Sequence, residues 1–181
     1  MRRHVLMLRA INLGPSRRVP MAELRTLLAD AGYEDVATYV QSGNVVLSAD
    51  ATTATLESDV SALIGERFGF EVPVVGRTAG QLAAVVARDP FGDVADDPKR
   101  YHVSFLSKPV SREVRSQLEA ACAEDERVAF DDREVYAWTP GGAARSKLWN
   151  ALGGPGLGVV ATARNWTTVT TLARMASRSS A

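Results

Sequence analysis

Hydrophobic residues along the chain follow two alternating periodicities, and their order predicts the order of strands and helices. From His4 to Ile11 apolar residues alternate between two faces, which is typical of a strand. From Met21 to Ala31 they recur at helical spacing, and Gly32 supplies a stop. The two patterns continue with predicted strands at 36–41, 44–48 and 70–77, and with a helix that carries Leu56, Val60, Leu63, Ile64 and Phe68.

The resulting β-α-β-β-α-β order is the split β-α-β pattern of ferredoxin-like folds. A helix at about residues 80–87 and the loop "RDPFGDVADDPK" then mark a boundary, because Pro and Asp crowd that loop. The second half repeats the order, although no residue-level repeat is apparent. We predict an α+β protein of two tandem ferredoxin-like units with antiparallel sheets and helices on one face. The units are residues 1–78 and 100–181, the second with an extra terminal helix, and 79–99 is a connecting helix and loop.

A first candidate site lies at the turn "QSGN", residues 41–44, between two short strands. With sheet order 4-1-3-2 and right-handed crossovers, the alternation of side chains points Arg9, Tyr39, Gln41 and Asn44 together from the face without helices. These residues could bind a ligand. Alternatively, two open sheet faces stack, and Gln41 and Asn44 satisfy buried polar groups there.

A second candidate site combines two predicted helix starts in the second half. "TPGGAARSKLWN" leads into a helix with Arg145 and Lys147 at its start, and "ATARNWTTV" does so with Arg164 and Asn165. Helix N-termini present free N–H groups and partial positive charge, and the predicted topology puts both starts at one sheet edge. The alternative is that Asn165 only caps its helix and that the arginines lie on the surface.

Charge distribution favours the anion site, although the net charge of the 181 residues is zero. Zero net charge argues against a general polyanion binder. However, the chain from Val135 to Ala181 contains no Asp or Glu and includes Arg145, Lys147, Arg164, Arg174 and Arg178.

One cysteine and two histidines provide neither a disulfide nor a zinc cluster, so we expect no metal and no cofactor. The N-terminal apolar run is short and interrupted by Arg9, so we expect a cytoplasmic protein without a membrane segment.

Several separated motifs resemble one protein family across nearly the whole chain. They are "LRAINLG", "VPMAELRTLLADAGYEDVATYVQSGNVVLS", "DPF", "RSKL" and "TARNWTTV", and they resemble the bacterial family called domain of unknown function 1697. The resemblance implies a two-part α/β protein of ferredoxin-like topology, and it implies no established activity. The chain differs from the family pattern at Ala10 and Pro15, where glycines are expected.

Three functional hypotheses remain open at this point. The first is a protein that binds a phosphate-bearing ligand, either a nucleotide or a short nucleic acid; the aromatic strand motif of RNA-binding ferredoxin-like domains is missing, which disfavours nucleic acid. The second is an enzyme acting on a small anionic substrate, with Tyr39 and Lys147 as acid–base candidates and no recognisable catalytic motif. The third is a structural module, for instance a homodimer, because a fold alone does not determine function.

Overall fold

The computed structural model describes residues 1–178. Eight strands and six α-helices occur in these residues. In chain order they are β1 (Arg2–Leu8), α1 (Met21–Asp30), β2 (Glu34–Tyr39), β3 (Asn44–Ala49), α2 (Thr53–Phe68), β4 (Val74–Thr78), α3 (Ala79–Arg88), β5 (Tyr101–Leu106), α4 (Arg112–Ala121), β6 (Arg127–Phe130), β7 (Glu134–Trp138), α5 (Lys147–Gly153), β8 (Ala161–Asn165) and α6 (Trp166–Ser177).

The strands form two four-stranded sheets of the same topology. Their strand orders are β2-β3-β1-β4 and β6-β7-β5-β8, and all neighbouring strands pair antiparallel. The first order is the predicted 4-1-3-2, and the second repeats it. The predicted α+β fold of two ferredoxin-like units is therefore confirmed.

Each sheet packs its apolar face against its own helices. In the first unit Leu6, Leu8, Val45 and Leu47 of the sheet contact a cluster from α1 and α2 that includes Leu24, Leu28, Leu56, Val60 and Ile64. In the second unit Leu106, Val135 and Ala137 pack with Leu118, Leu148 and Leu152 of α4 and α5. Polar caps begin the helices: Thr52 Oγ1 accepts from Thr55 N, and Ser111 Oγ accepts from Val114 N.

Two details differ from the predicted elements. β1 ends at Leu8 instead of continuing to Ile11, because Ala10 has a φ of 54° and turns the chain out of the sheet. A helix also follows the fourth strand in both units, α3 after β4 and α6 after β8, so the terminal helix is no addition peculiar to the second unit.

Contact density divides the chain into two compact units. The first contains Met1–Ala84 together with the described residues from Thr171 onward, and the second is Val85–Thr170. The division falls within α3 and within α6, whereas the sequence placed boundaries at residues 78 and 100. The predicted division into residues 1–78, 79–99 and 100–181 stays a prediction, and residues 179–181 of the last segment lie outside the described residues.

Strand register exposes a repeat at the level of single residues. His4 to Leu8 pair with Thr78 to Val74, and His102 to Leu106 pair with Asn165 to Ala161 in the same way. Arg77 and Arg164 therefore occupy equivalent positions, opposite Val5 and Val103. This repeat is not apparent from the sequence, because only His4, Val5, Leu8 and Arg77 have identical counterparts at these positions of the second unit.

Candidate functional site

The turn Gln41–Asn44 between β2 and β3 is held from inside by Asn44. Asn44 is fully buried, and its Nδ2 donates to Tyr39 O at 3.0 Å and to Ser42 Oγ at 3.1 Å. Gly43, with a φ of 77°, offers its carbonyl to Leu8 N at 2.8 Å. Alternation with the helix-facing Val45 puts Asn44 on the sheet face without α1 and α2, as predicted, but the residue is buried there and its amide closes the turn.

Asn12 connects this turn to the loop of residues 9–20 between β1 and α1. Its Nδ2 donates to Gln41 O at 2.8 Å and to Val19 O at 3.0 Å, and its Oδ1 accepts from Val19 N at 2.9 Å. Its backbone N–H donates to Arg17 O at 3.1 Å. One side chain therefore sets the path of the loop and ties it to the turn, a role that the sequence analysis did not assign.

Arg9 and Gln41 do not extend together from strands as predicted. Arg9 lies beyond the end of β1, is partly exposed, and its side chain makes no hydrogen bond or ion pair with the described residues. The exposed Gln41 lines a depression of about 380 Å³ with Asn12, Gly14, Arg18, Val19 and Pro20. The cation that lines this depression together with Gln41 is thus Arg18, and Arg9 is not among the lining residues.

Arg145 and Lys147 lie where the sequence predicts them, immediately before and at the start of α5. Arg145 ends a 3₁₀ turn, Ala143–Arg145, and Lys147 is the first residue of α5. Both are exposed, and neither side chain has a hydrogen bond or ion pair within residues 1–178. Ser146 Oγ accepts from Trp149 N at 2.9 Å, so the helix start is capped by its own chain.

Arg164 is a buried strand residue, contrary to the prediction that it joins Arg145 and Lys147 at a helix start. It is 7% exposed, and its Nη1 donates to Thr162 Oγ1 and Ala163 O, both at 2.8 Å. Burial lowers the pKa of Arg164 to about 10. The reason is that β8 continues through Asn165, so that alternation turns Arg164 to the sheet face opposite that of Asn165.

Asn165 faces the side of the sheet on which α5 lies. It pairs with His102, whose ring centroid is 4.4 Å from that of Trp149 in α5. Asn165 Oδ1 accepts from Thr168 N at 2.9 Å and so caps α6, as in the capping alternative. Burial lowers the pKa of His102, and a backbone hydrogen bond with Arg100 opposes that shift. Trp149 of α5 and Asn165 at the start of α6 are therefore both neighbours of His102, whereas Arg164 lies on the opposite face of the sheet.

Comparisons with known proteins identify a family. The family model described as "Protein of unknown function (DUF1697)" matches residues 1–136. The chain belongs to this family. No curated protein matches the sequence. The fold is similar to that of the conserved bacterial protein SP0830 from Streptococcus pneumoniae, with a TM-score of 0.79 and 22% identity over 97% of this chain and 98% of that one. At this identity the similarity shows the fold alone.

In this DUF1697 protein, the "DPF" motif belongs to an aromatic cluster around Tyr101. Tyr101 is 1% exposed and stacks on Trp166 with ring centroids 4.6 Å apart, and Phe91 lies at 5.8 Å. Burial and the Asp89 carboxylate raise the pKa of Tyr101. Strand alternation puts Tyr101 on one sheet face with Val103 and Phe105. The alternation contains no information on the loop residues that cover Tyr101.

Arg77 is a buried cation that the sequence analysis did not single out. It is 1% exposed, and its Nη1 donates to Gly76 O at 2.7 Å, as Arg164 does to Ala163 O. The available signal was an arginine one residue before a strand end in both "VVGRT" and "ATARN".

No helix in the described residues has both the length and the apolar composition to cross a bilayer, and no group of three or more ligating side chains there could hold a metal.

Proposed function

We propose that this DUF1697 protein binds a phosphate-bearing ligand, a nucleotide or a short nucleic acid, through Arg145 and Lys147. The observation that carries the proposal is that both cations are exposed and have no partner among residues 1–178. They lie in a part of the sequence without carboxylates, from Val135 onward. A cation without a neighbouring carboxylate keeps its full attraction for a phosphate oxygen.

The loop before α5 also has room for such a ligand. A Cβ atom built on Gly141 or Gly142 would meet no atom within 4 Å, so the backbone is open on this side. Because Ser146 already caps α5, the two side chains, rather than free helix N–H groups, supply the attraction. Arg164 is not included among the ligand groups, because its guanidinium is buried and donates to its own strand.

Isothermal titration at low salt tests the proposal with inorganic phosphate, a mononucleotide and a single-stranded oligonucleotide. Arg145→Ala and Lys147→Ala are each expected to weaken binding about tenfold or more, since a charge-assisted hydrogen bond contributes about 1.5–3 kcal/mol. Added salt should weaken binding of the wild type, and each variant should reduce the slope of that dependence. Arg145→Lys should also weaken binding, because a two-pronged donor becomes a point charge.

Matched controls are Arg112→Ala and Lys108→Ala, which remove exposed cations that likewise have no partner among the described residues. Both should bind like the wild type. Equal losses in all four alanine variants would mean general charge attraction and would refute a site.

The other two hypotheses make different predictions. A structural module predicts that native mass spectrometry of the purified protein finds no bound small molecule and that titration produces no heat. An enzyme with Tyr39 and Lys147 in acid–base roles predicts that a bound molecule is chemically altered on incubation and that Tyr39→Phe abolishes the change.

A further inference from the structure

The loop of residues 9–20 is far longer than its counterpart in the second unit. β1 and α1 are joined by residues 9–20, whereas the equivalent β5 and α4 are joined by residues 107–111. Strand–helix connections usually contain about 2–6 residues. Since the same fold is completed with the short connection, the extra length is not needed to join a strand to a helix, and long ordered loops frequently carry function.

This loop is held in a strained and defined path. Ala10, Asn12 and Arg17 have φ values of 54°, 55° and 56°, which non-glycine residues adopt at a cost. Four hydrogen bonds of Asn12 offset that cost by fastening the loop to itself and to Gln41.

Two adjacent arginines in the loop have different surroundings. Arg17 is anchored: its Nε donates to Ala10 O at 3.2 Å, its Nη2 donates to Glu71 O at 2.7 Å, and its guanidinium lies 5.2 Å from the Phe70 ring centroid. Arg18 is exposed, and its side chain makes no hydrogen bond or ion pair with the described residues. The loop thus uses one arginine for its own structure and leaves the next one for solvent or a ligand.

Arg18 lines the same depression as Gln41, and its charge is not neutralised locally. No carboxylate occurs from Met1 to Ala22 or from residue 36 to residue 49, so both segments that form the depression lack acidic residues. Its volume, about 380 Å³, is within the range of about 300–1,000 Å³ of small-molecule sites. Pro20 is exposed and adds an apolar wall, while Arg18 and the Gln41 amide can donate hydrogen bonds.

Two larger depressions on the same unit differ in charge. One, of about 470 Å³, is lined by Glu23, Asp30 and Arg67, and that arginine is paired with Glu23 at 3.0 Å. The other, of about 510 Å³, is lined by Glu71 and by serines of α2. The Arg18 depression combines a free cation with an absence of lining carboxylates, which neither of these two does.

We propose that the depression formed by the 9–20 loop and the Gln41–Asn44 turn binds the anionic oxygen group of a small molecule. Arg18 supplies a two-pronged donor and Gln41 a neutral one, while the exposed Pro20 contacts the apolar body of the ligand. A carboxylate and a phosphate satisfy the same donors. This site is separate from that of Arg145 and Lys147 and does not depend on it.

Titration of the full-length ¹⁵N-labelled protein, followed by nuclear magnetic resonance, tests the proposal. The probes are inorganic phosphate and benzoate, with sodium chloride at matched ionic strength. Saturable shifts of the Gly14 amide and the Gln41 side-chain amide are expected with one or both oxyanions. Phosphate alone would identify a phosphate site, benzoate alone a carboxylate site, and both a general oxyanion site. Equal shifts with chloride, or no saturable shift, would overturn the proposal.

Variants separate this site from the proposed function. Arg18→Ala should weaken the response about tenfold or more, and Gln41→Ala should weaken it less, since Gln41 offers a neutral donor. Arg112→Ala should leave it unchanged. The amides of Gly141 and Gly142 report on the Arg145 and Lys147 site in the same spectra. A response at Gly14 that survives Arg18→Ala would refute this inference whatever those glycines show.

Discussion

Gly43 allows a quantitative test of how closely the Gln41–Asn44 turn packs against Leu8 and Ile11. Its φ is 77°, and a Cβ built there would lie 2.6 Å from Ile11 Cδ1 and 2.8 Å from Leu8 Cβ. Both neighbours are buried, at 2% and 1% exposure, and belong to the core of the first unit. Gly43→Ala would therefore suffer both a disfavoured backbone conformation and a steric overlap.

Gly32 is a matched control, because it has a φ of 89° but no atom within 4 Å of a built Cβ. Gly32→Ala should lower the free energy of unfolding by about 1–2 kcal/mol through the left-handed backbone conformation. The more restricted unfolded chain offsets about 0.4–1 kcal/mol of that loss. Gly43→Ala should suffer the same backbone loss and, in addition, a destabilisation of about 1–3 kcal/mol from overpacking a core contact. We expect it to be less stable than Gly32→Ala by about 1–3 kcal/mol.

Urea denaturation of both variants, followed by circular dichroism, measures this difference. It should appear as a lower midpoint for Gly43→Ala at an unchanged slope. Equal stabilities would mean that Ile11 and Leu8 relax freely around the new methyl group. That result would refute the close packing of the turn against β1, and with it the defined geometry of the Arg18 depression.

The remaining predictions concern buried polar groups. Asn44→Ala should cost more than about 1 kcal/mol, because it removes two hydrogen bonds from a buried amide, whereas Gln41→Ala should stay within about 0.5 kcal/mol; urea melts compare them. Arg164→Ala should lower stability by at least about 2 kcal/mol and Arg145→Ala by less than about 0.5 kcal/mol, and a reversed order would contradict the burial of Arg164. Tyr101 keeps its proton in the folded state above the usual pKa of 10.0, so stability should fall as pH rises above about 10, and Tyr101→Phe should make that fall shallower in melts at several alkaline pH values.

Local sequence determined the elements of this DUF1697 protein and the faces of its sheets. Helical and strand periodicities depend on neighbouring residues, and the connection rules for β-α-β units leave few topologies. For that reason the strand order 4-1-3-2 follows from the sequence, and the alternation from His4 to Ile11 agrees with the contact of Leu6 and Leu8 with the helices. The basic, carboxylate-free segment around Arg145 and Lys147 was likewise evident from the sequence.

Tertiary structure decided which polar motif residues are free and which are used internally. Asn12 and Gln41 are 29 positions apart, and only folding brings the Asn12 amide to the Gln41 carbonyl. The identity of Asn44 and of Arg164 does not show whether either residue is buried. In the fold, Asn44 is buried at the turn between β2 and β3, and Arg164 is buried because β8 continues through Asn165. A polar side chain's role depends on which partners are within hydrogen-bond distance and on whether the fold buries it. Periodicity reveals neither, because the Gln41 partner of Asn12 is distant in sequence and the burial of Asn44 and Arg164 results from packing.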